Sequence, residues 1–219
     1  MRKLKTASMD NELQLWQNGY RRIIGLDEAG RGAWAGPVSA GAVCLPPNDP
    51  DLQLKLAGVR DSKEMTPRQR ARLVETIKTT AITWGVGWAT NDEIDELRIV
   101  RATCLAMQRA LDDAKKRLAG FTPDFIMTDS IKWAELELMN IPYRSIVRGD
   151  KLSLTISAAS VIAKVWRDEY MRELDKHYPQ YFFSAHKGYG TARHILALQT
   201  HRPSPLHRKS FTPVRIAGE

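Results

Sequence analysis

The residues best suited to chemistry in this 219-residue sequence are acidic and stand where short apolar runs end. Asp27 and Glu28 close the run YRRIIGL, Asp129 closes FIMT, and Asp150 follows RSIVRG. Carboxylates gathered from several strand ends offer oxygen ligands to a hard divalent cation such as Mg²⁺ or Mn²⁺, which keeps waters free to exchange with a phosphate. Two such ions, ~3.5–4 Å apart, activate a water and stabilise the leaving oxygen in phosphodiester hydrolysis. Any one of these acids taken alone reads better as a solvated or capping turn residue than as a catalytic one. Adjacent residues of a regular strand face opposite sides. Asp27 and Glu28 therefore reach one site only if the backbone becomes irregular, as the glycines at 30 and 32 permit.

The same stretch carries a second chemical feature. Gly30, Arg31, Gly32 and Gly36 give G-x-G-x-x-x-G, one residue longer than the dinucleotide fingerprint, and Gly36-Pro37 interrupts the helix that fingerprint must open. A tight turn whose bare backbone approaches a ribose and phosphate, with Arg31 adding charge, is the better functional reading. Tyr189 stands between Gly188 and Gly190, which leaves its ring accessible for stacking. The balance of charge agrees with a polyanionic partner. Of a formal net charge of +8, residues 141–219 hold 13 Lys/Arg against 6 Asp/Glu, and such basic surfaces attract nucleic acid.

The elements that must position these groups read as a mixture of strands and helices. Tyr20–Asp27, Pro37–Leu45 and Ala81–Ala89 read as the first three strands, and Asp124–Asp129 and Ile141–Val147 as two more. Thr66-Pro67 reads as an N-cap with proline at the first helical position, opening a helix to about Lys78. Longer helices are expected from near Glu96 to Ala119, with Gly120 as the stop, and from Leu154 to about Tyr178. A short helix is expected over Ala192–Thr200. The N-terminus lacks the apolar block of a signal peptide, no apolar run approaches the roughly 18–20 residues of a membrane span, and two distant cysteines suit a reducing, cytoplasmic setting. Trp84, Trp88 and Trp166 read as core. Asp168, four residues after Lys164, reads as a helical ion pair. The five histidines, all in the last 43 residues, have no cysteine partners, so zinc is not expected; His186 and His207 read as packing in loops or supporting a nucleic-acid face.

At this point the sequence resembles bacterial ribonuclease HII, the type 2 ribonuclease H family. The resemblance is carried by GLDEAGRGAWAGPV at 25–38, RDSKEMTPRQR at 60–70, EIDELRIVRATCLAMQRAL at 93–111, FIMTDS at 125–130, VRGDKLSLTISAASVIAKVWRDEYM at 147–171, AHKGYGT at 185–191 and SPLHRKSFTPV at 204–214. It implies an α/β, ribonuclease H-like fold: a central mixed five-stranded sheet flanked by helices, with a helical C-terminal region. Residues 1–19 would be an N-terminal extension, 20–178 the catalytic domain, and 179–219 a basic region completing the nucleic-acid face. The four catalytic, metal-binding carboxylates would be Asp27, Glu28, Asp129 and Asp150, with two Mg²⁺ or Mn²⁺ ions in the reacting complex. Gly30, Arg31 and Gly32 would contact the 2′-hydroxyl, and Tyr189 would stack on the sugar at the RNA–DNA junction. Ser62, Lys63, Lys151 and Lys187 would complete the substrate contacts, and Arg208 and Lys209 would be further candidates for phosphate. The substrate would be an RNA–DNA hybrid or a ribonucleotide-containing duplex, cut by a monomer. Three positions depart from the family pattern: Ser130 where glycine is usual, Arg60 where asparagine is common, and Glu64 where lysine is common. Two other readings compete: a catalytically silent hybrid-binding protein, and a different nuclease or strand-transferase on the same fold.

Overall fold

The computed structural model describes residues 5–131 and 133–219; residues 1–4, at the start of the expected N-terminal extension, lie outside the described residues. The sheet has the order β3-β2-β1-β4-β5, with β1 at Ile23–Ala29, β2 at Val38–Cys44, β3 at Thr83–Ala89, β4 at Phe125–Asp129 and β5 at Tyr143–Ile146. β1 pairs antiparallel with β2, and β2 with β3, while β4 runs parallel to both β1 and β5. This is the expected mixed five-stranded sheet. The helices, in chain order, are α1 Asp10–Gln17, α2 Leu52–Lys55, α3 Pro67–Thr80, α4 Asn91–Arg117, α5 Gly149–Leu152, α6 Leu154–His177, α7 Phe183–His186, α8 Ala192–His201 and α9 Thr212–Gly218. Among the described residues none is long and apolar enough to cross a membrane.

Strand alternation divides the core into two layers. Ile23 faces one layer, formed with α1, α3 and α6, and Ile24 and Leu26 face the other, formed with α4. The α4 layer is thin because glycine lets the helix approach the edge strand. A Cβ on Gly85 or Gly87 would stand 2.2 Å from the carbonyl oxygens of Ala110 and Ala106, respectively. Several boundaries were readable from capping chemistry. Thr66 and Gln69 form a reciprocal capping box at α3, as the Thr66-Pro67 pair suggested. The same device, Thr90 with Glu93, starts α4 five residues before the expected Glu96. That helix is broken at Arg98, whose φ of 67° is non-helical.

Trp84, Trp88 and Trp166, expected in the core, are instead partly buried or exposed. Trp88 is 42% exposed and stacks on Trp166, which stacks in turn on Tyr170. Trp84 is only partly buried and lies under Lys78 and Arg117. β3 is an edge strand, so side chains on its α6 face stand at the margin of the core layer, where they stack on one another and stay partly open to solvent. Residues 10–17, within the segment set apart as an extension, form α1, which inserts Leu15 and Trp16 into the first core layer. Buried Glu12 of α1 accepts from Ser153 Oγ at 2.5 Å and Thr155 N at 2.8 Å at the start of α6, a carboxylate on a helix N-terminus.

A third cluster joins the C-terminal region to the sheet through Ala35, Met171, Tyr181, Phe183 and Leu198. His194 and His207 are fully buried in it, and burial pushes both imidazoles down to about 4 from 6.5. In the unfolded chain both rings protonate near 6.5, while the folded chain keeps them neutral. Their stabilising effect is therefore complete above pH 6.5 and is lost as pH falls toward 4, on the order of 3 kcal/mol per ring. Denaturant unfolding between pH 7 and pH 5 should show this loss in the wild type. A His194→Asn/His207→Gln double variant should lose less over the same range; an identical slope would refute the assignment.

Candidate active site

The parallel pairing of β1 with β4 sets the first two acids side by side. The register runs to Leu26 against Thr128, so Asp27 and Asp129 are the next pair, on the α6 face of the sheet. Asp150 joins them from the first turn of α5. Carboxylate oxygens of Asp27, Asp129 and Asp150 all lie within 4.8 Å of one another. Hydrogen bonds fix two of these carboxylates: Asp27 Oδ1 accepts from Glu28 N at 2.8 Å, and Asp129 Oδ1 from Gly149 N at 2.9 Å.

Glu28 departs from the expectation that an irregular backbone turns both neighbours inward. β1 stays paired with β2 through Ala29, so the strand is regular here, and Glu28 reaches the group from the strand's end, lining the cleft with Ser62 and Lys63. Its Oε1 accepts from Arg31 Nη1 at 3.2 Å, and its buried Oε2 has no partner among the described residues. It nevertheless feels the charge of Asp129, at the rim of the same group.

Burial first, and then Glu28 and Asp129, push Asp27 well above the usual carboxylate range. Burial also raises Glu28 against the opposing pull of Arg31. Burial, then Asp129 and Asp61, push Asp150 up to about 6. Crowded oxygens that resist sharing their charge are the environment a divalent cation neutralises, so the donor set fits Mg²⁺ or Mn²⁺. Lys63 approaches Asp150 at 3.9 Å. Its own burial is outweighed by Asp27, Asp61, Asp150 and Glu28, which together raise its pKa.

A cleft of about 580 Å³ opens beside the acids, lined by Glu28 to Gly32, Ser62, Lys63, Arg70, Lys164 and Tyr189. It brings together most of the expected substrate contacts. The 30–32 turn is pinned from two sides by buried arginines. Arg167 of α6 donates to the carbonyls of Pro37, Ala35 and Lys187, and Arg208 donates to those of Gly36 and Arg31, each at 2.9 Å. Gly30, at φ 93°, leaves room for this arrangement: a Cβ there would stand 2.0 Å from Arg167 Nε. Arg208 is fully buried, so its expected contact with phosphate is replaced by support of the turn. Two other expected contacts lie outside the cleft. Lys151 pairs with Glu64 at 2.7 Å, and the Lys187 ammonium donates to the Ser184 carbonyl.

A family model described as Ribonuclease HII matches residues 24–214. The chain belongs to the ribonuclease HII family. The ribonuclease HII of Desulfitobacterium hafniense is 47% identical over 209 residues, covering 95% of this chain and 75% of its own length. That of a Synechococcus strain is 47% identical over 220 residues, covering 99% and 94%. The fold is similar to the crystal structure of the ribonuclease H2 from Pyrococcus horikoshii OT3, with a TM-score of 0.74 and 25% identity over 90% of this chain and 97% of that one. Membership makes the protein a metal-dependent ribonuclease H, an endonuclease of a family that acts on RNA–DNA hybrids.

Within a ribonuclease HII, the contributions that sequence reasoning missed come from α3 and α6. Ser160 Oγ lies 2.7 Å from Ser62 Oγ and lowers the Asp27 carboxyl against its burial. The expected Lys164–Asp168 ion pair forms at 2.6 Å and is joined by Arg70 at 3.2 Å. Helical spacing signalled the first pair; nothing local signalled Arg70, which comes from α3 in space. Of the three departures, Arg60 donates to the carbonyls of Gly58 and Glu64, and Glu64 engages Lys151. Ser130 has a φ of 34°, in the region that favours glycine.

Two outcomes follow from these contacts. Ser130→Gly should preserve cleavage and raise stability by up to ~1 kcal/mol, since relief of left-handed backbone exceeds the added freedom of the unfolded chain; a destabilised variant in chemical denaturation would contradict this. Asp150→Asn removes one of the crowded charges and should stabilise the metal-free protein by up to about 3 kcal/mol at neutral pH. Millimolar Mn²⁺ should raise the melting temperature of the wild type far more than that of the variant. A less stable metal-free variant, or equal metal responses, would argue against a cation at these three carboxylates.

Proposed function

We propose that this protein cuts the RNA strand of RNA–DNA hybrids and nicks duplex DNA on the 5′ side of an embedded ribonucleotide, leaving a 3′-hydroxyl and a 5′-phosphate. The observation that carries this reading is the convergence of Asp27, Asp129 and Asp150 beside a cleft walled by the 30–32 turn and Tyr189. In the reaction a water oxygen bonds to phosphorus, the P–O3′ bond breaks, and the O3′ leaves with a proton. Asp27, Glu28, Asp129 and Asp150 would hold two Mg²⁺ or Mn²⁺ ions. When bound, such ions supply the Lewis acidity that activates water and stabilises the leaving oxygen.

The chain's other residues select the substrate. Backbone groups of Gly30, Arg31 and Gly32 read the 2′-hydroxyl that DNA lacks. Tyr189 stacks on the sugar at the junction, and Ser62 and Lys63 approach the phosphate next to the acids. Lys151 and Lys187 reach the backbone farther along, after leaving the partners they hold in the free protein. That one chain contains every group in this scheme supports action as a monomer, and a nucleic-acid substrate is consistent with a cytoplasmic setting.

The test is a cleavage assay on three labelled duplexes, carrying one ribonucleotide, a continuous RNA strand or no ribose, with each metal in turn. The first two should be cut and the third left intact. Asp129→Asn should lose at least about a hundredfold in rate while still binding hybrid. Failure of pure protein to cut with either metal, or cutting of the all-DNA duplex, would overturn the proposal.

A further inference from the structure

His186, His194 and His207 are all buried and their hydrogen bonds fix the proton on each ring. Ser204 N–H donates to His207 Nδ1 at 2.9 Å, so the proton of the neutral ring sits on Nε2. That Nε2 lies 3.0 Å from His194 Nε2 and donates to it. His194 therefore carries its own proton on Nδ1, which donates to the Tyr189 carbonyl at 3.0 Å. A second chain runs alongside. Gly188 N–H donates to His186 Nδ1 at 3.1 Å, and His186 Nε2–H donates to the Tyr181 carbonyl at 2.8 Å. The His186 and His194 rings stack with centroids 4.4 Å apart.

The first chain ends on the Tyr189 carbonyl, and the second fixes the preceding residue through Gly188 N. The remaining peptide groups of these two residues are also occupied: Gly188 O accepts from Trp34 N, Tyr189 N donates to His186 O, and Tyr189 O accepts from Thr191 N as well. The ring of Tyr189, by contrast, is only half-buried, facing the cleft near Lys164 and Arg167. The peptide is fixed so that the ring can be presented.

We infer that His194, held in one tautomer by His207, is a positioning residue that sets the Tyr189 ring against the ribose and so tunes recognition of ribonucleotide-containing duplexes. This rests on the proposed role of Tyr189. The relay works only between neutral rings, since a protonated His194 would face the His207 donor with one of its own.

Two amide substitutions separate the two ends of the ring. His194→Asn keeps a donor near the Nδ1 position and loses the acceptor for His207, whereas His194→Gln keeps an acceptor near Nε2 and loses the donor to Tyr189. Steady-state cleavage of the single-ribonucleotide duplex is measured for both, for Tyr189→Ala and for His194→Gln/Tyr189→Ala. His194→Gln should lose at least about tenfold in kcat/KM, divided between kcat and KM as in Tyr189→Ala. His194→Asn should stay within about threefold of wild type, and the double variant should match Tyr189→Ala alone. Wild-type rates for Tyr189→Ala would remove the role of Tyr189 and this inference with it. A slow Tyr189→Ala with a fast His194→Gln would overturn the inference alone. So would losses that multiply in the double variant, or rates that follow melting temperature rather than the position of the amide.

Discussion

Three carboxylates that repel one another must be held together before any cation arrives, and much of the architecture follows from that requirement. Asp27 and Asp129 are neighbours because β1 and β4 run parallel, and neither can separate without breaking the ladder at the centre of the sheet. Asp150 is tied in through Gly149 N, which donates to Asp129, and through α5, which leads directly into α6. The repulsion is met by structure that is paid for elsewhere, in the two core layers that clamp the sheet. It is offset locally by Lys63, by Ser160 and by the N–H groups of Glu28 and Gly149. Glu28 adds to the crowding at Asp27, and its own charge is met by Arg31.

The long helix α6 then carries the organisation outward from the acids. Ser160 lies at the acids, Lys164 and Asp168 at the cleft, and Arg167 under the turn that precedes β2. Among the described residues, Arg167 and Arg208 are buried without carboxylate partners. Their guanidinium groups are stabilised by carbonyl oxygens of residues 31–37 and 187, an arrangement that turns a desolvation cost into a fixed loop geometry. Burial and the neighbouring Arg167 push Arg208 down to about 9, so it remains a cation at neutral pH. Two fixed positive charges behind the cleft suit a polyanionic ligand in front of it.

How much of this was legible in the sequence depended on the range of the interaction. Thr66 and Gln69, or Lys164 and Asp168, signal through local spacing, and the helix start and the ion pair both stand where expected. The acids were recognisable as a set because each ends a short apolar run. How Glu28 joins them was not, because register decides it: β1 stays regular to Ala29, and Glu28 meets the group from the cleft wall beside Arg31. Trp88 and Trp166 have core-like composition, yet β3 lies at an edge that no strand covers, which a linear pattern does not reveal. Arg208 had the charge and motif of a phosphate contact, and only the fold places it behind the turn rather than on the surface.

Charge in this protein is thus separated by depth as well as by position. The basic C-terminal third supplies a net surplus of cations, but the residues that tie it to the active site are uncharged or buried: neutral His194 and His207, and the two arginines bonded to carbonyls. Exposed lysines give attraction that is screened by salt and carries no information about ribose. Buried, hydrogen-bonded groups are far less screened and hold the 30–32 turn and Tyr189 in fixed relation to the acids. Attraction to nucleic acid and recognition of a ribonucleotide are therefore built from different residues, and the second depends on the C-terminal region being packed against the sheet rather than merely charged.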